Sequence, residues 1–221
     1  FPAKIVSLPS YFEALDSMGR PVIHTVFSHA DRARISPVYG CTMSCKFCNI
    51  PGHKYQFRSP QQILESVKIA LEDQVLPIKH LLITGGTPSS KDYEAFDNLC
   101  GEVVAITTLP VDVMMPPRPR DPHVFSRLAS MGVDGFSINI EVFDQDLARS
   151  IIPEKHKIGI KGFEKAISDA VEITGGKGRV RSLSLVGLEP YEKTIEAVQF
   201  LARLGCDPVL SPFRTSDDIP L

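Results

Sequence analysis

Residues 80–86 read His-Leu-Leu-Ile-Thr-Gly-Gly, a short apolar run closed by two glycines. A run of this kind, bounded by turn residues, is typical of a strand buried in a sheet. Residues 60–74 carry apolar side chains at near-helical spacing, and a second helical pattern follows at residues 91–105. A buried strand between two helices is the repeating unit of folds whose parallel strands are joined by right-handed crossovers.

The alternation of strand and helix continues in both directions from this unit. The other predicted strands are residues 35–38, 111–115, 133–141, 179–187 and 208–211. The other predicted helices are residues 11–18, one that opens at Asp121-Pro122, and residues 144–150, 161–173 and 192–204. We therefore predict an α/β fold with six parallel strands, and periodicity alone leaves an open sheet and a barrel-like sheet as alternatives.

Composition and charge exclude several classes of protein. The chain has 221 residues, 43% of them hydrophobic, and a formal net charge of -2. We expect no nucleic acid and no membrane among its partners, because both bind best to a strongly basic face. No apolar run approaches the ~20 residues of a membrane span, and residues 1–10 lack the pattern of a signal peptide. We expect a cytoplasmic protein, with further residues before Phe1 because the chain does not begin with Met.

Three of the five cysteines, Cys41, Cys45 and Cys48, fall within eight residues. Three close thiols suit a thiophilic metal in a reducing compartment better than a disulfide framework. A closed zinc site needs four ligands, and His53 would be the fourth. Around a four-iron cluster, three cysteines leave one iron free for a small molecule. The pattern favours the cluster, while a zinc-binding module without catalytic function remains the alternative of another class.

The segment Cys41-Thr-Met-Ser-Cys45-Lys-Phe-Cys48 resembles the cluster loop of the radical S-adenosylmethionine (SAM) enzymes. The resemblance implies a [4Fe–4S] cluster on the three cysteines, with SAM bound to the fourth iron. Reductive cleavage of SAM would give a 5'-deoxyadenosyl radical that abstracts hydrogen from a small-molecule or carrier-bound substrate. The resemblance also implies a partial (β/α)6 TIM-like barrel over residues 33–221, preceded by an N-terminal extension over residues 1–32.

Other segments fit the same family at the expected places. Gly85-Gly86-Thr87-Pro88 resembles the glycine-rich element that receives the amino group of SAM. Glycines there would let backbone carbonyls come close to the ligand. The resemblance also implies that Phe47, beside the last cysteine, lies against the adenine.

The fourth predicted strand carries polar residues at alternating positions. Ser137, Asn139 and Glu141 share one face, and in a strand flanked by helices that face points into a cavity. The segment resembles the Asn-x-Asp/Glu element of biotin synthase and lipoyl synthase, which holds the ribose hydroxyls of SAM. The resemblance leaves the cation for the SAM carboxylate open between Arg149 and Lys155.

The reaction that follows radical formation stays open. Sulfur insertion, as in biotin and lipoyl synthesis, needs a second cluster, but only Cys100 and Cys206 remain and both look like small buried apolar residues. The alternatives to such a sulfurtransferase are a rearrangement or lyase reaction and methyl transfer. Expected partners are an electron donor such as ferredoxin or flavodoxin, and a protein that completes the barrel or supplies a second cluster.

Overall fold

The computed structural model describes residues 7–215, 217, 219 and 221. Residues 1–6 of the predicted N-terminal extension lie outside the described residues. The strands are β1 (Val26–His29), β2 (Arg32–Ile35), β3 (Val38–Tyr39), β4 (Gln56–Phe57), β5 (His80–Ile83), β6 (Val111–Met114), β7 (Gly135–Ser137), β8 (Val180–Val186) and β9 (Asp207–Pro212). The α-helices are α1 (Pro60–Leu71), α2 (Tyr93–Ala105), α3 (Val124–Ser130), α4 (Gln145–Ile151), α5 (Pro153–Thr174) and α6 (Tyr191–Arg203).

Seven strands form one curled sheet in the order β1-β2-β5-β6-β7-β8-β9. Six of them, from β2 to β9 in that order, are parallel, whereas β1 pairs antiparallel with β2 at the edge. The predicted α/β fold with a partial TIM-like barrel is therefore confirmed. Strands β3 and β4 form a separate two-stranded ribbon, in which β3 precedes the cysteine segment and β4 follows it.

The main core lies between the sheet and the helices, since alternate strand residues pack against helix residues. In β5, Leu81 and Ile83 are fully buried in this core, together with Ile63 and Val67 of α1. The opposite face of each strand points into the half-barrel. As predicted, Cys100 and Cys206 are buried core residues, and burial raises the pKa of both thiols.

Strand β9 forms the second edge of the sheet. The amide of Phe213 donates to the carbonyl of Val186 on β8. Alternate residues counted back from Phe213 therefore also direct their backbone N–H and C=O groups toward β8. Pro208 and Pro212 consequently stand at positions that face away from β8, where an N–H group would otherwise be exposed.

The prediction of a helix over residues 11–18 is wrong. The Asp16 carboxylate accepts hydrogen bonds from the backbone N–H groups of Met18 and Arg20, and Gly19 adopts a φ of 75°. A carboxylate that satisfies nearby amides stabilises turns at the expense of a helix. Residues 15 and 21 form an isolated antiparallel bridge instead.

The first and fourth core strands differ from their predicted bounds. The first is residues 32–35, and Pro37 separates it from the short β3. The fourth, β7, ends at Ser137, and side chains supply part of the pairing with β8 beyond it. The side-chain oxygen of Asn139 accepts from the amide of Leu183, and the Ser182 hydroxyl accepts from the amide of Ile140.

Over the part of the chain that the structure describes, none of the helices combines the length and the apolar character that crossing a membrane requires.

Candidate functional site

A cavity of about 550 Å³ opens at the carboxyl ends of the parallel strands, where active sites of β/α barrels lie. It is bounded by the cysteine segment and by residues that follow β5, β6 and β7. The lining residues are Cys41, Met43, Cys45, Phe47, Cys48, Ile50, Pro51, Gly85, Gly86, Thr87, Met114, Met115, Pro116, Ser137, Asn139, Glu141 and Lys155. With the exception of Arg149, the structure thus brings all the sequence-predicted site residues to one cavity.

The three cysteines of this cavity are free thiols. The sulfur of Cys41 accepts hydrogen bonds from the backbone amides of Met43 and Thr87, at 3.3 and 3.1 Å. Burial raises the pKa of Cys45 to about 12 and also raises that of Cys48. Metal coordination removes such thiol protons, so binding of a metal here is coupled to proton release.

The glycine turn holds the cysteine segment directly. A Cβ atom on Gly86 would lie 1.6 Å from the carbonyl oxygen of Gly40, so only glycine permits this approach. The Thr87 carbonyl accepts hydrogen bonds from the amide and the hydroxyl of Thr42, at 3.2 and 3.1 Å. The close approach that the sequence predicts at this turn is therefore made to the cysteine loop itself.

Helices α4 and α5 hold the other side of the cysteine segment. The Glu154 carboxylate accepts from the amide and the hydroxyl of Ser44, and the Ile151 carbonyl accepts from the amide of Lys46. Although partial burial opposes it, this hydrogen bonding keeps the pKa of Glu154 below its ordinary value. Met43 and Cys45 pack in a small apolar cluster with Ile151. The segment is thus positioned by two neighbours that are distant in sequence.

The polar residues after β7 point into the cavity, as their alternation predicts. The side-chain oxygen of Asn139 accepts from the amide of Leu183 at 3.1 Å and from the Ser137 hydroxyl at 3.0 Å. These contacts fix the orientation of the amide, so its NH2 group faces the cavity, where it lies 3.5 Å from the sulfur of Met114. Asn139 is therefore set to donate to a ligand.

Glu141 and Lys155 form a buried ion pair beside the thiols. The Nζ of Lys155 donates to Oε2 of Glu141 at 2.7 Å and to the Asn139 carbonyl at 3.1 Å. Glu141 also has a φ of 67°, a left-handed conformation that costs free energy in a residue other than glycine. Two rare features, a buried ion pair and a left-handed backbone, therefore meet at one residue that lines the cavity.

Arg149, the other candidate for binding a carboxylate, lies away from the cavity. It is 70% exposed and faces Asp146 across a turn of α4, at 3.6 Å. Between the two cations that sequence reasoning left open, only Lys155 lines the cavity.

The zinc alternative fits the structure poorly. His53 stacks on the ring of Tyr39, with Nδ1 3.2 Å from its hydroxyl, and does not line the cavity. Within the described residues, no three His, Cys, Asp or Glu side chains converge on a position for a single ion. Zinc needs its thiolates at about 2.3 Å from one centre, whereas the cysteines of a four-iron cluster each bind a different iron. Three free thiols spread around one cavity therefore fit a cluster.

Sequence reasoning missed the methionines of this site. Met43, Met114 and Met115 line the cavity and give it flexible, polarisable walls. The two at the end of β6 could have been found from their position, since residues after parallel strands meet at one rim.

Arg118 lies in the loop between β6 and α3, where other side chains of the protein hold it. It is buried, donates to Asp97 at 2.9 Å and lies 3.9 Å above the ring of Tyr93.

Comparisons with known proteins agree with this geometry. The family model described as the Radical SAM superfamily matches residues 35–213. No curated protein sequence is significantly similar to the chain.

Several solved structures share the fold. One is the FeFe-hydrogenase maturase HydG from Carboxydothermus hydrogenoformans, with a TM-score of 0.69 and 14% identity over 86% of this chain and 46% of that one. Methylornithine synthase (PylB) gives 0.66 and 17%, over 86% of this chain and 55% of that one. SuiB from Streptococcus suis, bound to S-adenosylmethionine, gives 0.64 and 17%, over 88% of this chain and 43% of that one. The chain thus spans about half the length of each.

Proposed function

Because this chain belongs to the radical SAM superfamily, we propose that it cleaves SAM reductively and uses the resulting radical to abstract hydrogen from a substrate. One observation carries the proposal: three free thiols, a glycine turn and an aligned set of polar groups line a single cavity at the carboxyl ends of the strands. The cofactors of the family are a [4Fe–4S] cluster and SAM.

Cys41, Cys45 and Cys48 would hold the cluster. When bound, the cluster and SAM together supply a 5'-deoxyadenosyl radical at the cavity. The amides of Met43 and Thr87 donate to the sulfur of Cys41, and such hydrogen bonds tune the potential of an iron–sulfur centre.

The remaining polar groups have free hydrogen-bonding capacity for SAM. Lys155 has three N–H donors, of which Glu141 and the Asn139 carbonyl take two, so the third is available for the SAM carboxylate. Glu141 meets Lys155 through Oε2, which leaves Oε1 for a ribose hydroxyl, and the NH2 group of Asn139 can donate beside it. Ser137 supports Asn139, Phe47 borders the space for adenine, and the Gly85–Thr87 backbone faces the amino group.

For the reaction on the substrate we propose only a class. Its class is hydrogen abstraction followed by rearrangement, bond cleavage, or group transfer. Sulfur insertion would require a second cluster from a partner or from residues outside this sequence, because Cys100 and Cys206, the remaining cysteines here, are buried in the core. The chain's five free thiols support a reducing compartment, and we therefore propose a cytoplasmic location.

Anaerobic reconstitution tests the proposal. We expect about four irons per chain and formation of 5'-deoxyadenosine when dithionite and SAM are added. Cys45→Ser should lose both, whereas Cys206→Ala, which removes a buried thiol outside the cavity, should retain both. A fully reconstituted protein that produces no 5'-deoxyadenosine, or one that binds a single zinc ion instead, would contradict the proposal.

A further inference from the structure

The charges of the chain are unevenly distributed around the cysteine segment. Residues 32–64 contain five Lys or Arg and no Asp or Glu, although the whole chain has a formal net charge of -2. Two parts of this stretch, before and after the cysteines, pair in the β3–β4 ribbon, where Tyr39 faces Gln56. Lys54 and Arg58 flank β4, so these two cations lie beside the ribbon.

A groove of about 890 Å³ lies along this ribbon, lined by Arg20, Pro21, His24, Tyr39, Gln56, Arg58 and Gln62. Lys54 is exposed and lies two residues before β4 begins at Gln56. We define the basic face as Arg20, His24, Tyr39, His53, Lys54 and Arg58. Asp16 lies behind Arg20, is only 6% exposed and is bound to it.

Arg58 is the unusual member of the basic face. It is 9% exposed, and among the described residues its guanidinium donates to the Ser36 carbonyl and lies over the ring of Tyr39. Burial, with the charge of Arg20 adding to it, lowers the pKa of Arg58. A desolvated guanidinium without a carboxylate is costly for a protein to keep. The cost is offset when an anionic group approaches from the groove.

The basic face adjoins the cysteine loop through the backbone. Tyr39 is separated from Cys41 by one residue, Gly40, and a Cβ atom on Gly40 would lie 2.6 Å from the carbonyl oxygen of His53. The stacked rings of Tyr39 and His53, 4.9 Å apart, therefore belong to backbone segments that contact each other one residue before Cys41. Tyr39 is 43% exposed, and exposed aromatic residues are enriched at protein interfaces.

We propose that the basic face docks an acidic one-electron donor protein of the ferredoxin or flavodoxin type. This inference rests on the proposed function, which requires one electron for each cleavage of SAM. In the docked pair, one electron leaves the reduced donor and enters the oxidised cluster, and no bond is made or broken. A protein fits better than a small anion because the cations extend beyond the groove to Lys54, over a surface that carries an exposed ring.

Charge reversal on reconstituted protein tests the docking surface. The variant His24→Glu/Lys54→Glu changes two exposed residues of the basic face, while the control His29→Glu/Lys177→Glu makes the same substitutions at exposed positions near the amino ends of the strands. We would measure cluster reduction by stopped-flow absorbance with a recombinant flavodoxin as donor. Wild type should be reduced more slowly as salt rises, and the basic-face variant should be about tenfold slower at low salt. The control should match wild type.

Dithionite, which needs no docking surface, separates this inference from the proposed function. All variants should form 5'-deoxyadenosine at the wild-type rate with dithionite. Loss of that reaction in wild type would remove the proposed function and this inference with it. Wild-type reduction of the basic-face variant by flavodoxin, or equal slowing of the control, would overturn the inference alone. Inorganic phosphate that raises the Tm of wild type but not of the variant, with unchanged donor kinetics, would instead assign the groove to a small anion.

Discussion

The interior of the half-barrel carries buried polar groups at both ends, but the two ends use them differently. At the amino ends of the strands, Arg32 donates to Nδ1 of His80, whose Nε2 lies 2.9 Å from Asp112. Arg181 of β8 pairs with the same carboxylate. These residues connect β2, β5, β6 and β8 to one another, so their polar groups are directed at other strands.

At the carboxyl ends, the polar groups line the cavity. Asn139, Glu141 and Lys155 contact one another, yet each retains a donor or acceptor that faces the cavity. Polar groups that satisfy each other contribute to folding, whereas groups held in position with spare capacity bind ligands. The comparison predicts that substitutions at the amino ends of the strands change only the stability of the protein. Substitutions around the cavity should mainly change ligand binding.

Gly86→Ala should have the largest effect. The added methyl group would lie 1.6 Å from the Gly40 carbonyl oxygen, so the cysteine loop must move away. Overpacking of this kind costs about 1–3 kcal/mol, and we expect at least about a tenfold loss of bound iron after reconstitution. Gly52→Ala is the matched control, because a Cβ atom there meets nothing within 4 Å. Normal iron content in Gly86→Ala would show that the loop needs no close contact with the glycine turn.

Asp112→Asn tests the network at the amino ends of the strands. Its carboxylate is 5% exposed and faces Arg181 and His80, so neutralising it leaves the partly buried Arg181 without its anion. We expect a loss of about 2–3 kcal/mol in the free energy of unfolding, measured in urea, with unchanged affinity of the folded protein for SAM. Asp146→Asn should change stability by less than about 0.5 kcal/mol, since this residue is 91% exposed. Weakened SAM binding in Asp112→Asn would break the comparison.

Lys155→Gln tests the cavity end. Loss of the charge should weaken SAM binding, measured by calorimetry, by about tenfold, because the proposed ion pair between Lys155 and the SAM carboxylate is removed. Arg149→Gln should bind SAM as wild type does, since its side chain is exposed and outside the cavity. Lys155→Arg keeps the charge and should recover part of the affinity, which a purely structural role for Lys155 would not require. Equal affinities in the two Gln variants would contradict our assignment of the carboxylate site.

Asp121→Asn should have the smallest effect and concerns paired charges on the outer helices. Hydrogen bonding from Arg127 holds the pKa of Asp121 below its ordinary value of 3.8. Its stabilising contribution is therefore complete above that value and is lost as the pH falls below it. We expect stability to fall less steeply below pH ~4 in Asp121→Asn than in wild type, by under about 1 kcal/mol. Unfolding curves that keep the wild-type dependence on pH would refute this coupling.

The sequence predicts the order of strands and helices because apolar periodicity is a local signal. It also predicts the face of Ser137, Asn139 and Glu141, since alternation along one strand is local too. The failure at residues 11–18 has a local cause, the turn formed around Asp16, which periodicity does not detect.

Other features depend on the fold and could not be read from the sequence. The pairs Gly86 with Gly40 and Glu141 with Lys155 join residues from different elements, the second pair a strand end and helix α5. The burial of Arg118 against Asp97 and Tyr93 likewise needs two elements to meet. The residue types give no signal of these contacts, because a lone lysine or arginine is usually solvated.

The two prolines of β9 affect how readily the protein can aggregate through this strand. Between Pro208 and Pro212, Leu210 provides the N–H group on the outer side of this edge. A second sheet that approached side by side would find too few donors for a continuous ladder, so growth of the cross-β type is disfavoured at this edge. In the described residues Leu210 is 53% exposed at this edge, and the adjacent backbone offers little support for fibril-like stacking.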